Sequence, residues 1–292
     1  MARHRLSLCS EPTARLLRAR QPSHRDMLTL PFGDKHEIVL GCRVSLHPAG
    51  HILGSAQFLA ESECGRLLYT GDFKLRPGRS AELCATPHAD VLIMETTYGR
   101  PCYRLPPTDE VLADIVRFCH ETLAAHAVPV LFGYSLGKSQ EVLSSLGAAH
   151  LPVMLHPQVF RLTQLCATLG ISFPDHREFA LADVPGHVVI APPQPGSASW
   201  LRQIEPRRTA VITGWAMERS ARYRYGCDAA FALSDHADFA DLLTFVERVQ
   251  PRRVFTVHGF AADFAQTLRA SGVEAWALGQ ENQLEFGFGK DD

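Results

Sequence analysis

Five histidines and carboxylates stand where an apolar run gives way to a turn. They are His51 in HPAGHILGSA, Asp72 in LLYTGD, Glu95 closing VLIME, His236 in LSDHADF and His258 closing RVFTVH. Imidazole and carboxylate are donors that zinc and related divalent ions accept. An imidazole held by a carboxylate can also carry a proton in a reaction. Each residue alone has an ordinary reading. His51 suits a loop beside a turn, Asp72 a turn or cap, and Glu95 a structural salt bridge. His236 stands beside a helix cap at Ser234 or Asp235, and His258 merely ends an apolar strand. Jointly they are more informative, because strand ends in an α/β fold converge on one edge, where sites form.

Two further stretches carry polar chemistry. GYSLGKSQEV at 133–142 follows an apolar strand and opens a helix. Backbone N–H groups from Ser135 to Lys138, with the Lys138 charge, could hold a phosphate. A plain strand-to-helix turn is an equal reading. The stretch is not a P-loop, since GxxxxGK[ST] is absent. GWAMERSARYRYG at 214–226 interleaves Arg219, Arg222 and Arg224 with Trp215, Tyr223 and Tyr225. Arginines among aromatics suit a phosphate backbone with stacked bases; a solvated basic loop is the commoner meaning of such a run.

Positioning these residues requires particular elements. Helical spacing predicts a helix over Ser10–Arg20. From Ile38 the pattern becomes short β runs: IVLGCRVSL, AQFLAES and RLLYT, with a hairpin turn at Cys64-Gly65, then VLIME. Past Pro107, strands alternate with helices. Asp109–Ala125, Lys138–Leu146 and Gln158–Leu169 are the helices; VPVLFGY, LPVMLH, HVVIAPP and TAVITGW are the strands. That alternation predicts a parallel sheet covered by helices on both faces. The tail gives AAFALS, a helix over Phe239–Val249, RVFTVH, a helix over Ala261–Ala270, and VEAWAL. A β-rich opening, an α/β middle and a β-α-β tail suggest a middle domain inserted into an outer one.

Composition narrows the class. The chain has 292 residues, 46% hydrophobic, with 29 Lys+Arg against 31 Asp+Glu. These values describe a globular chain of one large domain or two ordinary ones, and they exclude disorder and a global polycation. Eight scattered cysteines contain no CxxC pair, so free thiols in a reducing cytoplasm are expected. No apolar run reaches membrane-spanning length, and the basic start lacks the apolar core of a signal peptide.

HPAGHILGSA, YTGDF, METTYG, SDHADF and TVHG occur in the order and spacing that resemble the β-CASP nucleases of the metallo-β-lactamase superfamily. LPFG, SLHPAGHILGSAQ, GYSLGKSQ and GW before an arginine-rich stretch resemble most the bacterial DNA-ligase-associated exonuclease branch. The resemblance runs from about Leu8 to Leu278. It implies an αββα sandwich, N-terminally incomplete here, with an inserted α/β β-CASP lid. The corresponding divisions are 1–105, 106–224 and 225–292. It also implies two zinc ions. His51 and Asp72 match ligands of the first, with Asp72 bridging, and His258 matches a ligand of the second. Asp72, Glu95 and His236 match catalytic positions, Glu95 orienting His236 to protonate the leaving oxygen. Ser135, Lys138, Arg219, Arg222 and Arg224 would meet nucleic acid. The implied partners are single-stranded or end-containing DNA, or RNA, and a separate DNA ligase or helicase.

One family motif is missing. HxHxDH, which supplies two ligands to each metal, occurs nowhere in the chain; His4 stands alone, and His24-Arg25-Asp26 is the nearest shape. The chain is expected to begin one motif late, either from an internal Met1 or as a remnant that has lost its metals. Both expectations predict weak metal binding, little or no activity and an open sheet edge or apolar face. Two other functions stay open: an RNA-processing nuclease, since motif C carries His258, and a non-catalytic nucleic-acid-binding scaffold.

Overall fold

The computed structural model describes residues 6–20, 26–193, 198–218 and 220–279. His4, His24, Arg25 and Arg219 lie outside the described residues. The fold is mixed α/β, as the alternation predicts. Its larger sheet has seven strands, in the spatial order Glu274–Ala277, Arg253–Val257, Val91–Glu95, Gly65–Tyr69, Ala56–Ser62, Cys42–Pro48 and His36–Val39. The last four form an antiparallel meander, and the others join in parallel. The expected run IVLGCRVSL is two strands, because Gly41 turns the chain at φ +76°.

The second sheet has six strands, all parallel. They run from residues 177–178 at one edge through 153–155, 188–191, 128–132 and 207–212 to Ala229–Phe231 at the other. Val128–Phe132 and Val188–Ala191 are buried throughout. That follows from helices covering one face (Ile115, Leu143, Val159) and Val184, Leu201 and Ile204 the other. Ala229–Phe231 belongs to this sheet and lies past the expected division at 224/225.

The core of the seven-stranded sheet explains its order. Ala275, Val254, Leu92, Leu68 and Leu59 form one cross-strand row, buried beneath Phe245, Val246, Phe264 and Leu268. These come from the helices Phe239–Val249 and Ala261–Ala270, whose bounds match the expected ones. On the opposite face, Trp276, Phe255, Ile93, Tyr69 and Phe58 form the equivalent row. Its Phe58 end packs, among the described residues, against the cluster that includes Leu8 and Leu30. The second layer of a sandwich is represented, among the described residues, by one parallel pair, Leu6–Cys9 with Asp26–Thr29. The other four side chains of the row join no buried cluster among the described residues.

Candidate functional site

Each expected acid or imidazole sits in a loop fixed by backbone contacts. Asp72 follows the strand Gly65–Tyr69, and Glu95 ends Val91–Glu95. His51 lies in the turn after Cys42–Pro48. Gly50, at φ +73°, lets that turn press onto the Asp72 loop: a Cβ there would lie 2.4 Å from the Lys74 carbonyl oxygen. His236 precedes the helix Phe239–Val249, whose N-cap Asp238 accepts from the Asp241 amide.

These loops bring three donors together. One ligand atom each from His51, Asp72 and His236 lies within 4.8 Å of the others. The two imidazole centroids are 4.6 Å apart. His51 Nδ1 is 2.9 Å from the Asp235 carbonyl oxygen. A carbonyl only accepts, so Nδ1 carries the proton and Nε2 remains available to the group. Burial lowers the His51 pKa, and the neighbouring His236 charge adds to the effect.

His236 is held differently. Its Nδ1 donates to Glu95 Oε1 at 2.8 Å. Burial opposes the charged imidazole, but the hydrogen bond and charge of Glu95 outweigh it and raise the pKa. Glu95, 1% exposed, also accepts from the Phe73 amide at 3.0 Å and from the Thr97 amide and hydroxyl at 3.2 and 2.5 Å. Burial alone would raise its pKa; these donors and His236 bring it below the ordinary glutamate value.

His258 is not a member of the three-donor group. Its backbone turns left-handed at φ +59°, its side chain is exposed and its carbonyl accepts from Thr96 Oγ1. His236 supplies the second imidazole instead. Lys138 is also placed otherwise than the phosphate reading expects. It is 3% exposed, and its ammonium lies 2.5 Å from Asp235 Oδ2, so a buried carboxylate already takes the charge. Ser135 does face a cavity of about 350 Å³, with Arg20, His51, Tyr134 and His236 also on its walls. Arg222 is exposed with its guanidinium 4.5 Å from the Tyr223 ring centroid, and exposed Arg224 pairs with Glu218. Trp215 packs among Tyr98, Tyr103 and Phe260 rather than standing open. The sequence reading gives Thr97 and Arg20 no role and treats Asp235 only as a candidate helix cap. Only Asp235, flanking His236 in SDHAD, gave a local signal.

Two imidazoles and a carboxylate match the three-protein-ligand set of catalytic zinc sites. Asp72 makes no hydrogen bond or ion pair among the described residues, which leaves both its oxygens open. The gathered side chains therefore fit a divalent ion.

A mixed α/β chain with a histidine–carboxylate centre at the meeting of its two sheets defines a metallo-hydrolase class. The family model described as "Zn-dependent metallo-hydrolase RNA specificity domain" matches residues 229–278. The chain belongs to the β-CASP family of the metallo-β-lactamase superfamily. It is 62% identical over 98% of its length to a "Probable DNA ligase" of Opitutus terrae, spanning 28% of that protein. It is 28% identical over 85% of its length to the "5' exonuclease Apollo" of Rattus norvegicus, spanning 46% of it. A "Transcription termination factor FttA" of Methanococcus maripaludis is 31% identical over 47% of the chain, which spans 23% of that protein. The chain thus spans less than half the length of each of these relatives. Among the described residues, no helix is long and apolar enough to cross a membrane.

Proposed function

We propose that this chain is a metal-dependent nuclease module that hydrolyses phosphodiester bonds at DNA ends, in repair linked to a ligase. The observation that carries the reading is the Glu95–His236 pair beside His51 and Asp72. His51 Nε2 and Asp72 would hold the ion, which when bound would polarise the scissile phosphate and activate water. Glu95 accepts from His236 Nδ1 and favours its protonated form, which would donate a proton to the leaving oxygen. His236 can be the third ion donor only when neutral, because its Nε2 cannot hold a proton and a metal together.

The six-stranded unit, from about residue 106 to Phe231, is the β-CASP lid. The cavity lined by Ser135 and Arg20 admits a strand end, and Arg222 and Arg224 lie on the incoming backbone. The DNA assignment draws on the relative named a probable DNA ligase. The second reading, RNA processing, draws on the RNA-specificity description of the matched model. End-labelled single-stranded DNA and RNA, incubated with the zinc- or manganese-supplemented chain and with H236A, separate them. Slow shortening of DNA that H236A abolishes is expected. Preferential shortening of RNA would favour the second reading. Binding of both without cleavage, unchanged in H236A, would refute the nuclease and leave a non-catalytic scaffold.

A further inference from the structure

The first turn of the helix Lys138–Ala148 reaches from the six-stranded unit into both loops that carry the site. Lys138 Nζ lies 2.5 Å from Asp235 Oδ2, next in sequence to His236. Glu141, one helical turn on, takes Lys74 Nζ on both oxygens at 3.0 and 2.8 Å, two residues from Asp72. All four side chains are at most 5% exposed. Gly137, at φ +89°, packs so tightly that a Cβ would meet Ile52 Cγ2 at 2.6 Å, beside His51. Gln140 stiffens the turn, accepting from the Gly137 amide and donating to the Ser135 carbonyl and Thr163 hydroxyl.

We propose that Lys138 and Glu141 are positioning residues, a two-pronged clamp that fixes the His236 and Asp72 loops and, through the Asp235 carbonyl, the orientation of His51. The inference rests on reading the gathered side chains as a metal site. Its geometric basis is one shared residue: Asp235 takes Lys138 with its carboxylate and His51 Nδ1 with its carbonyl. Freeing the carboxylate lets the peptide rotate, and His51 then loses the partner that selects its tautomer. Fully buried ion pairs are poor stability devices but good registry devices, which suits this role.

The test separates positioning from stability. K138M alone leaves a buried unpaired carboxylate and lowers Tm. K138M/D235N removes both charges, keeps the backbone carbonyl and should recover most of that loss. Long-range proton–nitrogen NMR correlations of the metal-free chain read the His51 tautomer directly. The expected result is a single Nδ1–H tautomer in the wild type and a mixture in the double variant, with zinc affinity lower by about tenfold. A double variant whose His51 stays locked and whose zinc affinity is unchanged would overturn the proposal. K74M/E141Q, read by zinc affinity, tests the other prong independently and decides the case if the first pair does not fold. Zinc binding absent from the wild type would sink the metal reading, while the tautomer comparison would still decide the clamp.

Discussion

Replacing Glu95 with glutamine changes one atom and disturbs four hydrogen bonds. Oε1 accepts from the Phe73 amide and His236 Nδ1; Oε2 accepts from the Thr97 amide and hydroxyl. A carboxamide can keep only one side. With its oxygen toward Phe73 and His236, its NH2 faces Thr97, whose hydroxyl can turn to accept but whose amide cannot. That leaves one buried donor unsatisfied, costing about 1–3 kcal/mol. The bond to His236 survives but loses its charge: a hydrogen bond to a charged group contributes about 1.5–3 kcal/mol against about 0.5–1.5 for a neutral one, a loss of about 1–1.5 kcal/mol. E95Q should therefore lose roughly 2–4.5 kcal/mol near pH 6, and Tm should fall by about 4 °C or more. The loss has a defined pH dependence. His236 has a pKa raised above 6.5, so its share is full below that value and lost as pH rises through the folded value. Glu95 is lowered from 4.5, so its share is full above that value and lost as pH falls through the folded one. The difference between wild type and E95Q is thus greatest between about pH 4.5 and 6.5 and shrinks toward pH 9. Urea unfolding of the metal-free proteins across that range measures it. A difference under about 0.5 kcal/mol at pH 6, or one that grows toward pH 9, would refute the reasoning.

G259A should be costly, because φ is +57° and its Cβ would meet Thr96 O and Thr97 Cα at 2.5 Å. G226A, at φ +61° with open space, should lose only the left-handed backbone cost of about 1–2 kcal/mol; urea midpoints compare the two, and equal losses would contradict the packing argument. Zinc titration should give no more than one equivalent, abolished by H51A and by D72N; two tightly held equivalents would contradict the three-donor count. R222E/R224E should weaken single-stranded DNA binding and flatten its dependence on log salt by about 1.4, at about 0.7 per phosphate contact; anisotropy titrations at several salt concentrations check the slope.

Elements with strong periodicity were legible. The helices over 239–249 and 261–270 carry apolar faces at helical spacing, and the strands VPVLF and VVIA carry unbroken apolar runs that only double burial explains. Convergence of His51, Asp72, Glu95 and His236 was also legible, because each follows an apolar strand. Two properties were not. Whether the Lys138 charge meets solvent, phosphate or a carboxylate depends on Asp235, 97 residues away. Nor does the sequence show that His236, next to Asp235, lies within reach of His51 and Asp72. The break at Leu40-Gly41 was missed because IVLGCRVSL is apolar enough on both sides to pass for one strand.

The bond between Glu95 and His236 spans 141 residues of sequence. At typical synthesis rates of 5–20 residues per second, roughly 7–28 s separate the emergence of the two. Throughout that interval the strand ending at Glu95 lacks its neighbour Arg253–Val257 and the two helices that bury its core face. The six-stranded unit, whose strands all lie between residues 128 and 231, can close first. The site is therefore a late product of folding on the ribosome, assembled beside a six-stranded unit already made. A nascent chain arrested before His236 would carry the carboxylate without the imidazole it holds.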